Sequence, residues 1–174
     1  MAGRGRPEVW IFDLDNVLYP ASCSLFDLIS ARITAYVAAH YGVAEDEARL
    51  RQRALFLEHG TTLNGLMALH DIDPLGYLDF VHDIPMDRLS PAPELAARIA
   101  ALPGRKLVFT NGDAAYAARV LAARGMGQVF EGVHDIIGSG YHPKPHAPAY
   151  QSLLSAWAFD PTRAALFEDM ALNL

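Results

Sequence analysis

Two aspartates stand one residue apart directly after a short apolar run, in the segment VWIFDLDNVLY that begins at Val9. A carboxylate beside a buried run costs free energy unless a cation or hydrogen-bond donors compensate its charge. A spacing of two places the side chains of Asp13 and Asp15 on the same side of an extended segment. One carboxylate could therefore act as a nucleophile while the other transfers a proton.

Further side chains suited to such a site lie much later in the chain. They are Thr110, Asn111, Lys144, Glu168 and Asp169. Clustered carboxylates need a counter-charge, and Mg²⁺ prefers oxygen ligands and can also bridge to phosphate oxygens. Lys144 could neutralise charge on a nucleophile and on a phosphoryl group. The combination favours phosphoryl transfer through an aspartyl-phosphate, with Mg²⁺ and Lys144 compensating the charge of the aspartate pair.

Most of these residues come at or just after the ends of predicted strands. Val9–Phe12 is a continuous apolar run, which is typical of a buried parallel strand. A second strand is predicted at residues 106–110, a possible short one at 132–137 and a last one at 163–169. Lys144 lies instead in a loop, between two prolines in YHPKPH.

Helices are predicted between the later strands, at residues 94–102, 114–124 and 146–157. This alternation predicts an α/β fold with a doubly wound parallel sheet. In an open parallel sheet, ligands bind outside the carboxyl ends of the strands. The polar residues listed above should therefore converge there, although they are far apart in sequence.

A block of helices without any strand signal separates the first strand from the rest. Ser24 with Asp27 is a capping signal, and the helix that follows should end at Gly42. Three more helices are predicted, at residues 45–58, 63–70 and 74–81. The pattern predicts an all-helical cap at residues 20–90, inserted into a core domain formed by residues 1–19 and 91–174.

Composition narrows the class of protein. The 174 residues are 52% hydrophobic, which is enough for a substantial core, and their formal net charge of −6 argues against a nucleic-acid partner. No apolar run approaches the length of a membrane span. Residues 1–7 are expected to be a flexible lead without a signal peptide, and the single cysteine, Cys23, suits a reducing compartment. The cytoplasm is the expected location.

Four motifs in order, FDLDNVLYP, VFTNGD, HPKP and FEDMALNL, resemble the haloacid dehalogenase superfamily in its phosphatase branch. Their sequences are most similar to those of the pyrimidine 5′-nucleotidase-type group. The resemblance runs from about Val9 to the end of the chain. Relatives of this fold usually continue with another strand and helix, so the chain, which ends at Leu174, is expected to be short at its C-terminus.

The resemblance implies a role for each matching residue. Asp13 would be the nucleophile and a Mg²⁺ ligand. Asp15 would be the general acid–base and would bind Mg²⁺ through its backbone carbonyl. Thr110 and Asn111 would hold the transferring phosphoryl group.

The same resemblance assigns the remaining charged residues and the helical block. Lys144 would position and neutralise the phosphoryl group. Asp169 would bind Mg²⁺ directly, with Glu168 acting through water. The cap would close over the site, exclude water and read the leaving group.

The expected substrate is a small phosphate monoester, with a nucleoside 5′-monophosphate as the leading candidate. A sugar-phosphate phosphatase or phosphomutase of the same superfamily is one alternative. A non-catalytic phospho-acceptor or binding module is another, because receiver domains also combine clustered acids, a threonine and a lysine on a parallel sheet. Receiver domains place the phosphorylated aspartate on a later strand and have no cap, which favours the enzyme. The oligomeric state is not indicated.

Overall fold

A computed structural model of the chain describes residues 6–174. Residues 1–5 of the predicted flexible lead lie outside the described residues. The chain divides into two compact units. One unit comprises the residues up to Cys23 together with Leu89–Leu174, and the other comprises Ser24–Arg88.

The first unit is built on a parallel sheet, as predicted. Among the described residues the sheet has four strands: β1 (Val9–Phe12), β2 (Arg105–Phe109), β3 (Gly132–His134) and β4 (Ala164–Phe167). Their order is β3-β2-β1-β4, and each neighbouring pair is parallel. The chain runs outward from β1 to β2 and β3 and then crosses to β4 on the other side of β1. The carboxyl ends of β1 and β4 therefore form the kind of switch point at which such sheets bind ligands.

Within the described residues, three α-helices accompany this sheet. They are α5 (Pro93–Ala100), α6 (Ala114–Ala123) and α7 (Ala147–Trp157), numbered after the four helices that the other unit contributes earlier in the chain. Two residues of α7, Ala149 and Leu153, pack against apolar side chains of β1 and β2. This buried cluster fixes the two central strands, and with them the loops that follow their carboxyl ends.

The second unit contains only helices among its described elements: α1 (Leu25–Tyr41), α2 (Glu45–His59), α3 (Thr62–Leu69) and α4 (Pro74–His82). Gly42 ends α1 as predicted, in a left-handed conformation with φ of 64°. Ser24 directly precedes α1, as the capping signal predicted, but its side chain makes no capping hydrogen bond. Ser24 itself adopts a left-handed conformation, and its carbonyl oxygen accepts a hydrogen bond from Arg88.

Ser24–Arg88 lies within the insertion predicted at residues 20–90. Its role as a cap stays a prediction. Across the described part of the chain, no helix combines the length and the apolar character that a membrane span requires.

Candidate active site

Asp13 is the first residue after β1, and its position is fixed from two sides. Its backbone N–H donates to the carbonyl oxygen of Phe167, which extends the pairing of β1 with β4 by one residue. Its side chain is buried, and Oδ1 lies 2.8 Å from the ammonium nitrogen of Lys144. The carboxylate is therefore held at the carboxyl end of the central strand.

Lys144 is the cation at the centre of this cluster. Its side chain is only 1% exposed, and its Nζ contacts three acceptors. They are Oδ1 of Asp13 at 2.8 Å, Oε2 of Glu168 at 2.7 Å and the carbonyl oxygen of Phe109 at 2.9 Å. An ammonium group has three donors, so these contacts account for all of them. The lysine is thus fully coordinated by groups of the sheet and of the segment after β4.

The side chain of Asn111 holds the backbone of the Lys144 loop. Its Oδ1 accepts from the N–H of Lys144 at 2.8 Å, and its Nδ2 donates to the carbonyl oxygen of Lys144 at 3.3 Å. Both polar atoms of this amide are therefore committed to Lys144. If Asn111 holds a phosphoryl group, as its resemblance implies, the contact would come from its backbone N–H.

Thr110 follows β2 and is buried. Its backbone N–H donates to His134 of β3 at 3.0 Å, and its hydroxyl oxygen accepts from the N–H of Gly112 at the same distance. The hydroxyl hydrogen can still be donated to another acceptor. The threonine thus shapes the turn between β2 and α6 and keeps one donor.

The acidic pair after β4 completes the cluster. The side chain of Glu168 is 1% exposed, and its second carboxylate oxygen accepts from Nδ2 of Asn173 at 2.7 Å. Asp169 is exposed, and its Oδ2 accepts from Nδ2 of Asn16 at 3.2 Å. Asn16 and Asn173 were not predicted as site residues, although both lie within the motifs FDLDNVLYP and FEDMALNL.

The charges of this site do not balance. Burial raises the pKa of Asp13 to about 7, Lys144 partly offsets that rise, and the nearby charges of Glu168 and Asp15 add to it. Three carboxylates, those of Asp13, Glu168 and Asp169, have oxygen atoms within 4.8 Å of one another. Three anionic groups against one ammonium leave room for a further cation.

The donor set fits Mg²⁺. All three side chains offer carboxylate oxygens, which are the hard ligands that this ion prefers. Asp13 and Asp169 would hold the ion, with Glu168 close by, and a backbone carbonyl at Asp15 remains a predicted ligand. When bound, the ion would supply positive charge that stabilises negative charge on the carboxylates and on a phosphoryl group.

Asp15 lies in a different environment from Asp13. Its Oδ1 accepts hydrogen bonds from the hydroxyls of Tyr19 at 2.5 Å and Tyr116 at 2.8 Å. Burial and the neighbouring Asp15 charge raise the pKa of both phenols, which therefore remain donors at neutral pH. Sequence reasoning missed both tyrosines. Tyr19 comes four residues after Asp15, but nothing in the pattern predicted that Tyr116 of α6 would reach the same oxygen.

The structure therefore joins Asp13, Lys144, Glu168 and Asp169 into one cluster, with Asn111 supporting the lysine. Asp15 is close enough for its charge to act on Asp13. Thr110 lies at the carboxyl end of the neighbouring strand. Two carboxylates in contrasting surroundings beside a buried lysine can support nucleophilic attack and proton transfer on one substrate.

Comparison with known proteins identifies the family. Residues 8–171 match the haloacid dehalogenase-like hydrolase family, and the chain therefore belongs to that family. Phosphate metabolism protein 8 of Saccharomyces cerevisiae is 29% identical over an alignment of 136 residues that covers 72% of this chain and 42% of that protein. The chain thus spans less than half the length of this curated relative.

Solved structures show the same fold. HAD-hydrolase YfnB from Bacillus subtilis, bound to magnesium, matches with a TM-score of 0.58 and 14% identity over 97% of this chain and 81% of its own. A HAD phosphatase from Thermococcus onnurineus matches with a TM-score of 0.56 and 16% identity, over 95% of this chain and 79% of its own. CbbY from Rhodobacter sphaeroides, in complex with xylulose-(1,5)bisphosphate, matches with a TM-score of 0.59 and 15% identity, over 95% of this chain and 79% of its own. The predicted α/β fold and superfamily are confirmed.

Proposed function

We propose that this hydrolase is a Mg²⁺-dependent phosphatase that cleaves small phosphate monoesters through an aspartyl-phosphate on Asp13. The observation that carries this proposal is the buried contact of Asp13 with Lys144, beside two further carboxylates after β4. The magnesium bound to the Bacillus subtilis neighbour supports the choice of ion. The phosphatase neighbour from Thermococcus onnurineus supports the choice of reaction.

In the first step a carboxylate oxygen of Asp13 attacks phosphorus in line with the leaving oxygen. A bond forms between Asp13 and phosphorus, and the ester bond from phosphorus to the leaving oxygen breaks. Asp15 gives its proton to that oxygen, which leaves as an alcohol. The attacking group must be ionised, and the ammonium of Lys144 favours that form by lowering the pKa of Asp13 against the effect of burial.

In the second step water hydrolyses the acyl phosphate. Asp15, now a carboxylate, takes a proton from the water while the water oxygen bonds to phosphorus. The bond between Asp13 and phosphorus breaks, and inorganic phosphate leaves. Lys144 stays beside Asp13 in both steps and neutralises charge that develops on the transferring group.

The use of Asp15 as an acid also favours phosphate esters over organohalides. A departing halide needs no proton, whereas an alkoxide leaving from a phosphate ester does. Two tyrosine hydroxyls hold the Asp15 carboxyl group in place two residues after the nucleophile.

Nucleoside 5′-monophosphates are the leading substrates, because the motifs resemble those of pyrimidine 5′-nucleotidases. Sugar phosphates are the second candidate, which the sugar bisphosphate bound to CbbY supports. We assign the choice between them to the helical unit Ser24–Arg88, which would act as the cap.

The test is phosphate release from UMP, CMP, AMP, glucose 6-phosphate and an aryl phosphate, with Mg²⁺ and with a chelator. Repeated turnovers that need both Mg²⁺ and Asp13 support the phosphatase, and the preferred ester identifies the substrate class. A single stoichiometric phosphorylation without turnover would indicate the phospho-acceptor alternative. Equal turnover by wild type and Asp13→Asn, or none from the folded chain, would contradict the proposal.

A further inference from the structure

Two buried tyrosines share one oxygen of Asp15. Tyr19 and Tyr116 are each 1% exposed, and their hydroxyls lie 2.5 Å and 2.8 Å from Oδ1 of Asp15. The two hydroxyl oxygens are 3.3 Å apart. The three groups form a compact triangle beside the nucleophile segment.

The tyrosines reach Asp15 from two separately anchored parts of the fold. Tyr19 lies in the loop after β1, where the carbonyl oxygen of the preceding Leu18 accepts from the buried Arg124 at 3.0 Å. Tyr116 lies in the first turn of α6, and its N–H donates to Oδ1 of the capping residue Asp113 at 2.8 Å. The backbone at each tyrosine is therefore anchored independently of Asp15, and both side chains are buried.

This geometry has a consequence for the carboxyl group. A carboxylate oxygen has two lone-pair sites, and two hydroxyl donors fill both sites of Oδ1. A proton carried by Asp15 must therefore be on Oδ2. Two donors on one oxygen also fix the rotation of the carboxyl plane, so they determine the direction in which Oδ2 points.

We infer that Tyr19 and Tyr116 are positioning residues that aim Oδ2 of Asp15 at the leaving oxygen. This inference rests on the proposed function, in which Asp15 is the general acid. In this account the tyrosine hydroxyls contribute to the reaction by orienting the Asp15 carboxyl group. Loss of their hydroxyls should therefore lower kcat/KM most for substrates whose leaving group must be protonated.

The test compares two esters whose leaving groups differ in that need. An alkyl phosphate such as a nucleoside monophosphate must be protonated as it leaves, whereas an activated aryl phosphate loses a stable phenolate without a proton. The parameter kcat/KM covers the steps up to transfer of the phosphoryl group to Asp13, so later hydrolysis does not affect it. Its alkyl-to-aryl ratio isolates leaving-group protonation from any general loss of structure.

Tyr19→Phe and Tyr116→Phe should each lower kcat/KM for the alkyl ester by about 10- to 100-fold, which is within the range of misaligned acid catalysis. They should lower it by less than about threefold for the aryl ester. Ser152→Ala is the control, because it removes a hydroxyl of α7 in the same unit as the two tyrosines, which donates to the carbonyl oxygen of Ala149 at 2.8 Å. It should leave the alkyl-to-aryl ratio unchanged.

An Asp15→Asn background provides the second arm. If the tyrosines act through Asp15, Tyr116→Phe should not further lower the single-turnover rate for the alkyl ester in that background, although it slows the same ester when Asp15 is present. A structural arm needs no activity. Crystal structures of the double variant Tyr19→Phe, Tyr116→Phe should show the Asp15 carboxyl rotated or in more than one position.

The outcomes separate the two proposals. Turnover by wild type with an unchanged alkyl-to-aryl ratio in the tyrosine variants would overturn the positioning role and leave the phosphatase standing. A single unaltered Asp15 position in the double variant would overturn it as well. Absence of turnover in the wild type on either ester would overturn the proposed function and this inference with it.

Discussion

Lys144 in the sheet unit and Arg51 in the helical unit both pair with a carboxylate, but their surroundings are opposite. The Lys144 side chain is 1% exposed and contacts both Asp13 and Glu168. The Arg51 side chain is 41% exposed and pairs with Glu47 one turn earlier on the same helix. One pair is enclosed by the fold, and the other lies at the protein surface, where the Arg51 guanidinium also stacks on the Tyr41 ring at 4.6 Å.

The exposed ion pair of α2 is expected to stabilise the fold slightly, whereas the buried cluster around Lys144 is expected to destabilise it. An exposed pair one helical turn apart contributes about 0.3–0.5 kcal/mol to stability. A buried cluster with more acids than bases is expected to lower stability. The free energy lost when its carboxylates are removed from water exceeds the free energy gained from their attraction to a single cation. Buried clusters of charge that lower the stability of a protein are usually retained because they serve its function. The comparison therefore points to the sheet unit as the source of the chemistry.

The largest effect should come from the nucleophile. Asp13→Asn removes the attacking carboxylate and should lower phosphatase kcat by at least about 10⁴-fold, as loss of a nucleophile does elsewhere. Asp46→Asn, at an exposed position of α2, is the matched control and should retain wild-type kcat. Steady-state phosphate release measures both. Comparable losses in the two variants would break the contrast between the units.

The buried lysine should come next. Lys144→Met leaves Asp13 and Glu168 without their cation, and should lower kcat/KM by about 10²- to 10³-fold. In chelator it should also lower the free energy of unfolding by about 3–5 kcal/mol, because it leaves buried carboxylates unpaired. Arg51→Met is the counterpart in the helical unit. Denaturant titration and kinetics should show near wild-type values for it.

The pH dependence of stability gives a third comparison. Asp13 has a pKa of about 7 in the folded chain against 3.8 as its ordinary value, so the folded state favours the protonated form. The unfolding free energy of the wild type in chelator should therefore fall between about pH 4 and pH 7, relative to Asp13→Asn, and the gap should level off above that range.

Each pKa unit corresponds to about 1.4 kcal/mol, so the gap should reach a few kcal/mol at most. Thermal melts in chelator at a series of pH values would measure it, and Mg²⁺ should narrow it by stabilising the wild type. A gap that stays constant from pH 4 to pH 8 would show that burial does not raise the pKa of Asp13.

The smallest effect should come from the exposed pair of Arg49 and Glu45 on α2. Arg49→Ala, which removes the partner of Glu45, should change the free energy of unfolding by less than about 0.5 kcal/mol. Its effect should shrink further in high salt. Urea titration at two salt concentrations would measure this. A loss comparable to that of Lys144→Met would remove the distinction between enclosed and solvated charge.

Much of the fold followed from local patterns in the sequence. The apolar run at Val9–Phe12 and the left-handed glycine at Gly42 were predictable, because a buried parallel strand and a helix end each leave a short signal. The absence of a side-chain cap at Ser24 was not predictable, since the same residue type can serve a turn as easily as a helix end. Its carbonyl oxygen accepts a hydrogen bond from Arg88, which is 64 residues away.

The charged residues of the site were predictable for a similar reason, because each lies at a strand end or in a recognisable motif. Their partners were not. Tyr116 reaches Asp15 across 101 residues and Asn111 holds the Lys144 loop across 33. Such contacts depend on how α6 and the loops pack on the sheet, which no local pattern encodes. The roles of the site residues therefore stay predictions that experiment must test.

The most direct measurement is to trap the intermediate. Asp15→Asn protein would be mixed with Mg²⁺ and an activated aryl phosphate, quenched in acid, digested and analysed by mass spectrometry. The aryl ester can phosphorylate the protein without a general acid, and the missing base should slow hydrolysis of the adduct. We expect a phosphoryl group on the peptide that carries Asp13. A phosphoryl group on another residue, or continued phosphate release with no adduct at Asp13, would contradict the account.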